Sequence, residues 1–148
     1  EVVVSEEDGR ERAGADAYDR ILVDAPCTGL GALRRRPESR WRKSPQDVAP
    51  LADLQRELLS AAVTGLRPGG VVAYVTCSPH LVETRDVVAA VLDQHRDKLD
   101  ELDARDVLRR VSRSTLDLAS PTGGGGRAQL WPHRHGTDAM SISLLRRA

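Results

Sequence analysis

The chain has 148 residues, 40% of them hydrophobic, which is enough for one modest domain with its own core and excludes a multidomain array. Lys+Arg and Asp+Glu are 22 each, so net charge neither excludes nor favours any partner, and only the local distribution of charge informs. Two cysteines, with no signal peptide and no long apolar run in view, read as a soluble cytoplasmic protein with free thiols.

Glu1 to Ser5 (EVVVS) reads as a short strand that begins without a preceding cap, as the start of a fragment would. Glu11 to Ala17 is polar and reads as a loop or a single turn. Tyr18 to Gly29 (YDRILVDAPCTG) is a β-branched, apolar strand that runs into a polar turn carrying Cys27. Leu30 to Ser44 follows, with Arg34, Arg35, Arg36, Arg40, Arg42 and Lys43 against Glu38 alone, and with Trp41 among them. Such cations can neutralise phosphates and an indole can stack on a base; a solvated loop with Trp41 as packing anchor is the alternative.

Ser44-Pro45 with Asp47 predicts a helix start, and Pro50 a second boundary, so the main helix is expected over about Leu51 to Leu66. Leu51, Leu54, Leu58, Ala62 and Leu66 form its expected buried stripe. Pro68-Gly69-Gly70 should end that helix and start a second strand, Val71 to Pro79 (VVAYVTCSP), whose turn carries Cys77. Val82 to His95 predicts a helix over the sheet, with Val88, Val91 and Leu92 inward. Arg96 to Arg113 fits either a helix or a short strand with a loop. Ser114 to Arg127, with Gly123 to Gly126, reads as a flexible hairpin connection, since no strand-to-helix context favours a phosphate cradle. Gln129 to Trp131 and Met140 to Leu145 alternate as antiparallel strands. His133 and His135 have a metal-compatible spacing without a third ligand cluster, so a polar turn is expected and no metal.

Strand, helix and strand make a crossover unit with its two strands parallel and adjacent. Ligands sit beyond the carboxyl ends of such strands, so Asp24, Cys27 and Cys77 should meet in one pocket. Three readings compete for the cysteines: small buried residues, a disulfide, or covalent catalysis by one thiolate with the other assisting. A phosphatase loop is excluded because the next arginine after Cys77 is Arg85. A Cys–His hydrolase using His80 stays conceivable, although nothing in the sequence orients that ring.

The segments YDRILVDAPCTGLG, RRRPESRWRK, LRPGGVVAYVTCSP and LWPHRHGTDAMSISLL, in that order, make the chain similar to the Sun/Fmu branch of the Nol/Nop/Sun family. These are RNA cytosine-C5 methyltransferases that use S-adenosylmethionine. The resemblance implies an α/β fold, a truncated Rossmann-like S-adenosylmethionine-dependent methyltransferase. The family's strand order is 3-2-1-4-5-7-6; this chain would supply strands 4-5-7-6, and strand 3 at Val2 to Val4, with strands 1 and 2 missing. Residues 1–17 would then be displaced, poorly ordered or paired with another chain, and the open sheet edge would favour self-association.

By position, the resemblance makes Cys77 the nucleophile and Cys27 the residue that assists breakdown of the adduct. It sets Asp24 between cofactor and cytosine, the Pro26 backbone near the base, and Asp8 at the adenine side of the cofactor. The Arg34 to Lys43 stretch would touch RNA, with small-subunit ribosomal RNA as the family's substrate. The family's glycine-rich cofactor loop and the acidic residue for the ribose do not occur in the sequence, so the chain is expected to be inactive alone. A non-catalytic RNA-binding or assembly domain on the same scaffold is the alternative, and the two cysteines with Asp24 argue against it.

Overall fold

The computed structural model describes residues 2, 4–11, 14–119 and 125–148. Strand β1 (Tyr18–Asp24) leads through a 3-10 turn at Leu30–Ala32 to the short helix α1 (Ser39–Arg42). A second 3-10 turn, Pro45–Asp47, runs directly into α2 (Val48–Gly65), which returns the chain to β2 (Leu66–Thr76). After a turn at Leu81–Glu83 come α3 (Arg85–Gln94), β3 (Leu99–Leu102), α4 (Ala104–Val111), β4 (Ala128–Gln129), α5 (Pro132–His135) and β5 (Ser141–Arg147).

β1 and β2 pair in parallel, with Ile21 opposite Val72 and Val23 opposite Tyr74. β5 runs antiparallel on the far side of β2 and takes both β3 and β4 along its other edge. The order β1-β2-β5-β3 is the 4-5-7-6 arrangement that the resemblance implies. A helical crossover is what parallel neighbours require, and α2 supplies it. The stretch between Arg96 and Arg113 resolves into both of its readings, a four-residue strand and then a helix.

One face of the sheet carries the core. Leu59, Ala62 and Val63 of α2 and Val87, Val88 and Val91 of α3 pack on Val72, Tyr74 and Leu145. On the opposite face Ala73, Val75, Ile142 and Leu144 stay half-buried, and Leu22 is exposed. No helix is long and apolar enough to cross a membrane.

Three local expectations need correction. First, Ala62 and Leu66 of the expected stripe are buried, but α2 also buries Ala52, Gln55, Leu59 and Val63, whereas Leu51, Leu54 and Leu58 are only half-buried. The stripe is turned by one residue, about 100°, because Gln55 faces inward to donate to Pro26 O at 2.8 Å. Second, Pro50 is no boundary; it sits in the first turn, where a backbone N–H has no helical partner to lose. Third, the helix ends at Gly65, ahead of Pro68-Gly69-Gly70, which instead bulge out of β2. Tyr18 pairs with Leu66 while Arg20 pairs with Val71, and Gly69 takes the φ of 78° that lets the extra residues loop out.

Among the described residues no strand precedes Tyr18, and Val2 and Val4 are exposed; Val3 lies outside them. The segment around Gly9 nevertheless touches α2: a Cβ there would lie 3.2 Å from Leu58 Cδ2, and Arg10 pairs with Glu57 at 2.8 Å. Of the glycine run, Gly123 and Gly124 lie outside the described residues. Gly126 O accepts from Ala104 N at 2.8 Å, and Arg127 and Ala128 are buried.

Candidate active site

β1 and β2 end side by side, and Ala25 N donates to Val75 O at 3.0 Å, so the pairing continues one residue into the first turn. That continuation brings Cys27 Sγ to 3.4 Å from Cys77 Sγ although 50 positions separate them. Both thiols are free and half-buried. They open, with Asp24, Pro26, Arg35 and Met140, on a cavity of about 610 Å³ beyond the carboxyl ends of the parallel strands. The contact makes the two thiols unlike. A hydrogen bond from Cys27 draws Cys77 down to about 7 against the opposing effect of burial. The same contact, together with burial, pushes Cys27 up. With Cys27 as the donor in the contact, Cys77 is the better thiolate and Cys27 the proton holder.

Beneath the thiols lies a buried polar cluster that sequence reasoning missed. Glu83 Oε1 accepts from Thr28 N at 2.7 Å and from Gln55 Nε2 at 3.3 Å. Its Oε2 accepts from Thr28 Oγ1 and Ser78 Oγ, each at 2.6 Å. Gly31 supports the same floor: its N–H donates to Cys77 O at 2.9 Å and its carbonyl accepts from Ala139 N at 2.9 Å. A Cβ on Gly31 would lie 2.0 Å from Ala139 O, so no other residue fits. Thr28 and Ser78 adjoin the cysteines and were visible in that sense. Glu83 and Gln55 carry no sequence signal, because only the fold brings them under both loops.

The basic stretch divides. Arg35 Nε donates to Asp138 Oδ2 at 2.7 Å and Arg34 lies 3.8 Å from Asp138 Oδ1, so two of the cations face a buried acid. The Arg35 guanidinium holds the Asp138 carboxyl below the usual carboxylate range. Arg36 and Lys43 line the cavity with the thiols, whereas Arg40 and Arg42 are exposed on α1. Trp41 is 83% exposed and therefore anchors no packing. Asp24 and Pro26 are exposed at the cavity rim. Asp8 is not brought to the cavity: it receives Arg10 Nε at 3.0 Å and Arg10 N at 2.9 Å, beside Glu57. Both of its oxygens are engaged, and its carboxyl is held down at about 2.

His80 Nδ1 accepts from Val82 N at 3.3 Å, and among the described residues no hydrogen bond joins this ring to either thiol. His135 Nδ1 accepts from Trp131 N at 2.9 Å and so closes the turn of α5. No group of three or more His, Cys, Asp or Glu is placed to hold a metal among the described residues.

Comparison with known proteins adds an independent line. The family model described as 16S rRNA methyltransferase RsmB/F matches residues 1–146. A Mycobacterium tuberculosis protein provisionally named a methyltransferase is 57% identical over 140 residues, 95% of this chain and 29% of that protein. A Bacillus subtilis protein provisionally named ribosomal RNA small subunit methyltransferase B is 35% identical over 132 residues, 89% of this chain and 28% of that protein. The crystal structure of NSun6 from Pyrococcus horikoshii with SFG, an S-adenosylmethionine analogue, superposes with a TM-score of 0.74 at 26% identity. That match covers 97% of this chain and 34% of the other. The chain thus spans under a third of the curated relatives' length.

Proposed function

Because this chain belongs to the 16S rRNA methyltransferase RsmB/F family, we propose that it carries the thiol half of an S-adenosylmethionine-dependent RNA methyltransferase acting at C5 of cytosine, in small-subunit ribosomal RNA. The observation that carries the reading is the unlike thiol pair, 3.4 Å apart at the carboxyl ends of two parallel strands. Cytosine C5 is a poor nucleophile. Cys77 thiolate adds to C6 of a base drawn out of its stack, forming an S–C6 bond and pushing electron density onto C5. S-adenosylmethionine, when bound, supplies the electrophilic methyl that C5 takes up. Transfer of the C5 proton to solvent water then leaves its electron pair to re-form the C5–C6 double bond as the S–C6 bond breaks and Cys77 leaves as thiolate. Cys27, held protonated beside it, stabilises that departing thiolate and so assists breakdown of the adduct.

At the rim, Asp24 fits the side of the cofactor and the Pro26 backbone that of the base, and both line the same cavity as the thiols. Asp8 stays the adenine-side contact on the resemblance alone, and to serve it must leave Arg10. Arg36, Lys43, Arg40, Arg42 and Trp41 offer exposed cations and an exposed indole to RNA; Arg34 and Arg35 contribute less, being turned toward Asp138. Its sequence contains no glycine-rich cofactor loop, so the 148-residue chain is expected to be inactive alone.

Two measurements test this. Calorimetric titration of S-adenosylmethionine into the chain should show no binding; ordinary affinity would mean that its residues build a full site. In a longer chain that includes the glycine-rich loop, RNA with 5-fluorocytosine at the target should form an adduct stable on a denaturing gel, since fluorine cannot leave as a proton does. Cys77→Ala should abolish it. Cys27→Ala should leave it and should also let an adduct persist on ordinary cytosine. The opposite dependence would exchange the two roles.

A further inference from the structure

We propose that Glu83 is the positioning residue of the thiol pair: its carboxylate clamps the two cysteine loops together and thereby sets the contact between Cys27 and Cys77. The inference takes its purpose from the proposed function and its geometry from the thiols alone.

Glu83 is 0% exposed, and among the described residues no cation pairs with it. A buried carboxylate is costly unless hydrogen bonds replace its water. Four do so here, from Thr28 N, Thr28 Oγ1, Ser78 Oγ and Gln55 Nε2. Every partner can donate, so both carboxylate oxygens act as acceptors, and the two hydroxyl contacts are short, at 2.6 Å.

The donors are placed with respect to the chemistry. Thr28 follows Cys27 and Ser78 follows Cys77, so a single carboxylate holds the neighbour of each thiol. Gln55 also donates to Pro26 O, which ties down the residue on the other side of Cys27. Glu83 itself is fixed to β2, since Tyr74 OH donates to its carbonyl at 2.8 Å. The backbone pairing of β1 and β2 ends at Ala25 and Val75, so beyond it these bonds, with Gly31, determine where the thiols stand. A hydrogen bond weakens steeply with distance, and a 3.4 Å sulfur contact does not survive a loop shift of an ångström.

The test uses this chain without cofactor or RNA and reads the rate of Cys77 alkylation by iodoacetamide against pH, resolved by site with mass spectrometry. Glu83→Gln keeps the shape of the side chain and removes its charge. If Glu83 acted only as a nearby negative charge, its loss would favour thiolate and move the Cys77 midpoint down. If it positions the pair, loss of the Cys27 contact moves the midpoint up, from about 7 toward the ordinary thiol range, and slows alkylation at neutral pH roughly tenfold. Cys27→Ala should produce the same rise in the native background and add nothing to Glu83→Gln, which shows that both act through one contact. Val63→Ala, a buried position about two helical turns along α2 from Gln55, should destabilise the chain but leave the midpoint where it is. A Glu83→Gln chain that melts earlier yet keeps its midpoint, or lowers it, overturns the proposal. Should that chain not fold, Ser78→Ala removes one arm of the clamp and should raise the midpoint by a smaller step; an unchanged midpoint there is equally decisive against it. Failure of the methyl-transfer reading would leave all of these results standing.

Discussion

At the scale of single residues, chemical identity matters less than what each side chain faces. Cys27 and Cys77 are the same thiol pushed in opposite directions by one contact. Arg35 looks like its neighbours in the sequence yet is bonded to a buried acid, which a run of arginines does not advertise. Asp138 is held below the usual carboxylate range by that guanidinium, so the pair stabilises the fold above the unfolded carboxylate pKa, near 4, and the gain is lost as pH falls through the depressed folded value. Arg35→Ala should therefore lower the denaturant midpoint at neutral pH, and the difference from the native chain should shrink by about pH 3. A difference of equal size at both pH values would show that Arg35 acts through packing of its stem and not through its charge.

At the scale of elements, the hydrophobic pattern told strand from helix well and told facing poorly. Tyr18 to Asp24 and the parallel partner after Pro68-Gly69-Gly70 were legible as β-branched runs ending in polar turns, and the helix between them as a leucine period. Which side of that helix faces in was not, because Leu51, Leu54 and Leu58 outweigh Gln55 in any count of apolar residues. The polar cluster under the cysteines overrides the count by calling Gln55 inward. The consequence is measurable on adjacent leucines. Leu59 is fully buried among the core residues, so Leu59→Ala should cost about 3 kcal/mol in unfolding free energy. Leu58→Ala, half-buried on the side that the segment around Gly9 touches, should cost about 1 kcal/mol. Equal costs would restore the stripe that the leucine spacing suggests. The same locality explains why Glu83 was invisible: its partners come from two loops and a helix, and no pattern within one element connects them.

At the scale of the whole molecule, helices cover one face of the sheet, and β1 and β3 are its outer strands among the described residues. β2 has strands on both sides, and α2 and α3 close the core over one face. β1 has β2 on one side and, among the described residues, no strand on the other. Its outer edge presents unpaired backbone groups, Leu22 is 69% exposed, and the face around it is covered only in part. Natural edges are commonly blunted by charge, and β1 has some: Asp19, bonded to Arg67, and Arg20 near its start, with Asp24 at its end. The middle of the strand, from Ile21 to Val23, carries none. The 148-residue chain should therefore self-associate as its concentration rises, seen as a growing sedimentation coefficient. Leu22→Lys puts a charge at the centre of that strand without emptying any core position, so it should hold the chain monomeric over the same range with its circular dichroism unchanged. If the native chain also stays monomeric, the charges at the two ends of β1 are sufficient guards. If Leu22→Lys associates as strongly as the native chain, the contact lies on another surface, and the exposed Trp41 is the next substitution to make.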